Sequence, residues 1–296
     1  MVSTEINIPV PWGFIAAKIC GSEDKRKVLM IHGFLDNSES FSELMPLLPK
    51  SYCYVAIDLP GHGKSSHFPR NIVANFLDLV ITVRIVIRFL KENPIILIGH
   101  SFGGHIATVY AQLYPSEVSR LALIECSYFN FRQIEKFQND YRNYLESACN
   151  SLTKHLNKVP TFTYEEGLHD FLDTELREGM TRKAAESLYK RNIIRLNTEK
   201  YRTGIDPLIK YTTCNYVNTS RSYDILRNFP IACPTLSIVG LHSKLHTLRS
   251  EILPKILSIY RNGVFKFVEG GHHPQSEVAN IVASLLCDFL NQKCNL

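Results

Sequence analysis

Four apolar residues, Ile95-Ile96-Leu97-Ile98, run without a break into Gly99-His100-Ser101-Phe102-Gly103-Gly104. A short apolar run of this kind reads as a strand buried on both faces. The Gly-x-Ser-x-Gly that follows suits a sharp turn into a helix starting near His105. Such a turn forces its central residue into a strained backbone geometry and lifts the Ser101 hydroxyl clear of the sheet. A Cβ at Gly99 or Gly103 would collide across it. The five-residue pattern also occurs by chance, as an ordinary glycine-rich loop. A strand before it and a helix after it are the context that gives it meaning.

The rest of the chain repeats this alternation. Thr4–Val10 and Phe14–Cys20 read as an opening hairpin broken by Pro9, Pro11, Trp12 and Gly13. Strands are expected at Val28–Ile31, Tyr52–Ile57, Leu121–Ile124, Thr235–Val239 and Phe265–Val268. Helices are expected over Ser40–Leu48, Ile72–Lys91, His105–Tyr114 and Val278–Leu290. The order predicts an α/β fold, a mostly parallel central sheet flanked by helices. The ligand crevice of such a sheet lies at the carboxyl ends of its strands. His32, Asp58, Ser101 and Glu125 all stand there. From about Ser127 to Asn228 strand-like runs vanish, and charged and aromatic residues recur at helical spacing, as in Tyr128–Asn150 and Thr181–Arg195. This stretch predicts an all-helical insertion, too long for a loop. The expected boundaries are 1–127 plus 229–296 for the core and 128–228 for the insertion.

Composition removes several classes of function. The net charge of +5 is mild and forms no long basic block, so no nucleic-acid partner is expected. The longest apolar stretch, Phe76 to Leu90, carries Asp78, Arg84 and Arg88 and predicts a helix packed on a sheet instead of a membrane span. Residues 1–20 lack a basic start followed by an apolar core, so no export leader is expected. The eight cysteines are scattered with no CxxC and read as reduced thiols. A cytoplasmic location follows as the expectation, with Cys294-Asn295-Leu296 at best a degenerate peroxisomal signal. No cofactor or metal is expected. His242 and His246 have no acid between them, and Gly61-His62-Gly63-Lys64-Ser65 lacks the glycine that opens a phosphate loop.

A serine hydroxyl is a weak nucleophile unless a base lies within hydrogen-bond reach and a third group orients that base. The base candidate is His272, directly after Gly270-Gly271, with His273 as competitor. Pro274 restrains His273 toward extended backbone and favours His272. The chain order Ser…acid…His places the acid before it. The turn after the penultimate strand, Leu241-His242-Ser243-Lys244-Leu245-His246-Thr247, holds no carboxylate. Either the triad is incomplete or the acid comes from elsewhere. Glu125, at the end of the strand after the nucleophile, would be desolvated there and in need of a partner such as an imidazole N–H. Asp58 is the weaker candidate and reads as a brace for its own turn. The oxyanion would be held by the backbone N–H groups of Phe34 and Phe102. Gly33 lets the first loop approach closely, and His32 reads as a side chain that fastens that loop.

Taken together, His32-Gly33-Phe34, Asp58-Leu59-Pro60-Gly61-His62-Gly63-Lys64-Ser65, Gly99-His100-Ser101-Phe102-Gly103-Gly104 and Gly271-His272 resemble the α/β-hydrolase superfamily. Within it, His32 to Ser42 and Asp58 to Pro69 resemble the serine hydrolase-like, or kraken-like, branch. The placement of Glu125 is similar to that of the acid in haloalkane dehalogenases that carry it after the sixth strand. Those enzymes use an Asp nucleophile, so Ser101 disfavours dehalogenase and epoxide hydrolase chemistry. The resemblance implies an acyl-enzyme hydrolase with a helical cap over its pocket. The expected partner is a small-molecule carboxylic ester or related acyl substrate. The alternatives are a ligand-binding or receptor-like protein with little turnover, and a carbon–carbon bond hydrolase. Oligomeric state leaves no trace in the sequence.

Overall fold

The computed structural model describes residues 3–70, 73–126, 137–153, 160–174, 177–212, 219–243 and 262–292. An eight-stranded sheet organises them. Its strands are β1 (Ser3–Val10), β2 (Gly13–Cys20), β3 (Arg26–Ile31), β4 (Tyr52–Ile57), β5 (Ile95–His100), β6 (Val118–Ile124), β9 (Thr235–Gly240) and β10 (Gly263–Val268). Their spatial order is β1-β2-β4-β3-β5-β6-β9-β10. The β1–β2 and β2–β4 pairs are antiparallel and every other pair is parallel. The expected mostly parallel α/β sheet is therefore present.

The apolar runs are continuous because the central strands are covered on both sides. All six residues of β5 and all six of β9 are buried. On one face, Leu29, Ile31, Val55, Ile57, Ile95 and Leu97 pack with Val83 and Val86 of α1 (Phe76–Leu90) and with Ile106 and Tyr110 of α2 (Phe102–Leu113). On the other, Val28, Met30, Ala56, Ile96 and Ile98 pack with Val282, Leu286 and Phe289 of the closing helix Ala279–Asn291. Successive residues of one strand thus serve opposite layers, as a period of two requires.

Helix α1 starts at Phe76, four residues later than its apolar pattern suggests. Asn75 accepts from the Leu77 N–H at 2.7 Å, and Asp78 reaches back to the Asn75 N–H at 2.8 Å. This reciprocal cap fixes the start. The expected helix over Ser40–Leu48 is instead two single 3-10 turns, Ser38–Phe41 and Met45–Leu47, with Pro46 inside the second.

The segment between β6 and β9 carries helices α3 (Phe137–Thr153), α4 (Tyr164–Leu172), α5 (Arg182–Asn192) and α6 (Thr219–Asn228). It is not all-helical. Strands β7 (Ile193–Arg195) and β8 (Tyr201–Thr203) pair antiparallel, and Phe162 bridges to Tyr201. The turn between them is held by the Asn197 side chain, which accepts from the Glu199 and Lys200 N–H groups. Strands of three residues are too short for their alternation to stand out in sequence. No helix among the described residues is long and apolar enough to cross a membrane.

Candidate active site

Strand β5 delivers Ser101 to the carboxyl edge of the sheet. Its backbone lies at φ 48°, ψ −115°, a conformation that L-residues rarely adopt. Two close approaches hold it. A Cβ on Gly99 would sit 2.5 Å from the Gly104 Cα, and one on Gly103 would drive into the Ile31 and His32 carbonyls. The Ser101 N–H donates to the Ile124 carbonyl at 2.9 Å, and the Gly104 and His105 N–H groups donate to the Ser101 carbonyl.

Strand β6 ends one step away. Glu125 also has a positive φ, 50°, and its N–H donates to the Ile238 carbonyl at 2.8 Å. The side chain is fully buried. Oε1 accepts the Gly240 N–H at 2.6 Å, and Oε2 accepts the Ser243 hydroxyl at 2.8 Å. The buried carboxylate thus has donors on both oxygens, which offsets its desolvation. The same Oε2 lies 3.2 Å from His272 Nδ1.

His272 stands in the loop after β10. Its Nε2 is 3.0 Å from Ser101 Oγ. The structure therefore brings Ser101, His272 and Glu125 into one line of contacts. His273 points elsewhere: it is buried, with Nδ1 3.9 Å from Asp36 Oδ2. Burial pushes its pKa down to about 3 despite the Asp36 carboxylate nearby. Gly270 and Gly271 have no positive φ. Glu277 holds the loop, accepting the Gly271 N–H at 2.6 Å and the His273 N–H at 2.9 Å. Gly240 lets that loop lie close, since a Cβ there would sit 2.5 Å from the Gly270 carbonyl oxygen.

Of the two expected oxyanion donors, Phe102 directly follows Ser101, the expected nucleophile, and Phe34 lies against Phe102. Phe34 and Phe102 pack edge to face, with ring centroids 5.8 Å apart. Among the described residues no acceptor takes either backbone N–H. Leu35 follows Phe34 with φ 58°, which turns the loop sharply. His32 is fully buried beneath it. Its Nε2 accepts the Leu59 N–H at 2.9 Å and its Nδ1 donates to the Gly33 carbonyl at 2.7 Å. Burial lowers its pKa to about 4, so it stays neutral and ties two loops together. Asp58 is buried too. It accepts the Ser38 and Lys64 N–H groups at 2.8 Å and pairs with Arg191 of α5 at 2.8 Å, so it braces its turn.

His242 pairs with Glu269 on the surface at 2.7 Å, and His246 lies outside the described residues. Asp36, His100 and His273 do place ligand-type atoms within 4.8 Å of one another. Asp36 is already paired with the buried Arg177 guanidinium, so a divalent cation would add positive charge where one is already buried.

The family model for the alpha/beta hydrolase fold matches residues 27–277 of this chain. The chain belongs to the α/β-hydrolase fold family. A serine hydrolase-like protein of Danio rerio is 29% identical over 302 residues, covering 97% of this chain and 88% of that protein. A serine hydrolase-like protein of Mus musculus is 36% identical over 172 residues, covering 57% of this chain and 55% of that protein. The expected resemblance to the serine hydrolase-like branch is borne out by these matches. The crystal structure of a hypothetical protein from Pseudomonas aeruginosa PAO1 superposes with a TM-score of 0.84 at 24% identity, covering 97% of this chain and 99% of that one, and shows the shared fold.

Within this hydrolase fold, several residues at the site escaped the sequence reading. Ser243 and the Gly240 N–H hold Glu125, Glu277 shapes the base loop, and Asp36, His100 and Arg177 form a buried polar group behind it. Only Ser243 had a sequence signal, its place in the turn where the acid was sought.

Proposed function

We propose that this α/β-hydrolase is a serine hydrolase that cleaves a small-to-medium carboxylic ester, or a related acyl substrate, through an acyl-enzyme. One observation carries the reading: His272 lies 3.0 Å from Ser101 Oγ through Nε2 and 3.2 Å from Glu125 Oε2 through Nδ1. The carboxylate favours the tautomer with the proton on Nδ1, which leaves the Nε2 lone pair for the serine hydroxyl. Ser101 Oγ attacks the substrate carbonyl carbon as its proton passes to Nε2. Glu125 stabilises the imidazolium that forms. The Phe34 and Phe102 N–H groups take the oxyanion of the tetrahedral intermediate. The alcohol leaves with the proton from Nε2. A water then attacks the acyl-enzyme, giving its proton to Nε2, and the acid departs as Oγ is reprotonated. The names of the serine hydrolase-like relatives support the same chemistry.

In this reading residues 1–127 and 229–296 form the catalytic core and 128–228 a cap over the acyl pocket. The enzyme needs no cofactor and works in the cytoplasm. The decisive experiment is labelling with a fluorophosphonate probe, together with turnover of short p-nitrophenyl esters. Wild type labels and Ser101→Ala does not. Absence of labelling in wild type would favour a ligand-binding protein on this fold.

A further inference from the structure

His100 precedes the nucleophile and is fully buried. Its Nε2 lies 2.8 Å from the backbone carbonyl oxygen of His272. A carbonyl can only accept, so Nε2 carries a proton and donates it. On the other side of the ring, Nδ1 lies 3.4 Å from Asp36 Oδ2. Asp36 is gripped in turn by Arg177, whose Nη1 pairs with Oδ1 and whose Nη2 donates to the Leu35 carbonyl at 3.0 Å. Arg177 and Asp36 side chains are 3% and 1% exposed, so this pair is a desolvated clamp, unlike the exposed ion pairs elsewhere on the chain. Gly33 makes room for it: a Cβ there would sit 2.7 Å from His100 Nδ1 and 3.2 Å from Asp36 Oδ2.

Backbone bonds hold the two ends of the loop that carries His272: the His242 N–H donates to the Gly270 carbonyl at 2.9 Å, and the Glu277 N–H donates to the His273 carbonyl at 3.0 Å. Between those ends, side chains hold it. Glu277 accepts the N–H of Gly271 and that of His273, on either side of the base. His100 donates to the carbonyl of His272 itself. We infer that His100, packed beside the buried Asp36–Arg177 pair, is a positioning residue that fixes the backbone of His272 and so its ring against Ser101. This rests on the hydrolase reading above for its functional consequence, but the geometric claim stands by itself. It links the catalytic base to Arg177, a residue of the segment between β6 and β9.

The test compares His100→Gln with His100→Asn. The two share an amide, but the Gln nitrogen reaches the place of Nε2, while the Asn nitrogen reaches only that of Nδ1. Crystal structures of both variants are solved, and kcat and KM are measured on p-nitrophenyl butyrate. In His100→Asn, His272 Nε2 should move from Ser101 Oγ by more than about 0.5 Å, the tolerance of a working site. kcat should fall about 10- to 100-fold, with KM within about twofold. His100→Gln should keep the bond and recover kcat to within about fivefold of wild type. Arg177→Met, which leaves His100 itself unchanged, should shift His272 in the same sense as His100→Asn. The inference is overturned if His272 stays in place in His100→Asn, or moves equally in both amide variants. An inactive, unlabelled wild type would sink the hydrolase reading, and the His272 position would still decide this one.

Discussion

Glu125 Oε2 lies 3.2 Å from His272 Nδ1, across 147 residues of chain, and accepts the Ser243 hydroxyl at 2.8 Å on the same oxygen. The carboxylate that meets His272 thus comes from the end of β6, while β9 contributes the Gly240 N–H and the turn after it the Ser243 hydroxyl that hold it. The two strands are neighbours in the sheet, paired from Leu121 with Thr235 to Ile124 with Ile238. A carboxylate leaving one strand end is therefore within reach of donors from the other.

Ser243→Ala removes one donor from a buried carboxylate. A hydrogen bond to a charged group contributes about 1.5–3 kcal/mol. Glu125 keeps the Gly240 N–H and its backbone anchor, so part of the geometry should survive. The expected result is a fall in kcat of about 3- to 30-fold with KM nearly unchanged, read from steady-state ester hydrolysis.

Arg191 of α5 is a buried tie between the segment after β6 and the sheet. Its Nε pairs with Asp58 at 2.8 Å, and Nη1 with Glu5 at 2.6 Å. Asp58 is fully buried, so Arg191→Met would strand its charge with only two backbone donors. Breaking a buried pair from one side costs about 3–5 kcal/mol. Urea unfolding should show a loss of that size. A loss below about 1 kcal/mol, the range of exposed pairs, would refute the assignment.

Acid should destabilise the fold in a defined window. Burial lowers the pKa of His32 to about 4 and those of His62 and His273 to about 3, against an ordinary value near 6.5. Below that value the unfolded chain binds protons that these folded rings do not, so stability is full above about pH 6.5 and falls as pH drops toward 3. Each such ring contributes a slope of about 1.4 kcal/mol per pH unit inside its window. Asp36 adds to the same trend at lower pH. Burial alone would raise its pKa, but Arg177 and the neighbouring histidines hold it well below the usual carboxylate range. Urea midpoints should hold from pH 7.5 to about 6.5 and then decrease down to pH 4. A flat profile would mean that the three rings are not held neutral.

The sheet and the strand-end residues were legible because burial on both faces makes strands such as β5 and β9 continuous apolar runs. Ser101 and His272 were legible because glycines mark the turns beside them. The start of α1 was written in Asn75 and Asp78, a capping pair that the apolar pattern alone overran. Asp36, His100 and Arg177 could not be paired from sequence. Single polar residues carry no periodicity, and Arg177 meets Asp36 across 141 residues. The hairpin β7–β8 escaped for want of length.

The most direct measurement is kcat of Glu125→Gln on a p-nitrophenyl ester, beside wild type and Ser101→Ala. Gln keeps the shape, but it removes the charge that, in the proposed mechanism, stabilises the imidazolium and holds the ring in one tautomer. A fall in kcat of about 10⁴-fold is expected, as for loss of a triad acid. Full activity in Glu125→Gln would contradict the role given to Glu125.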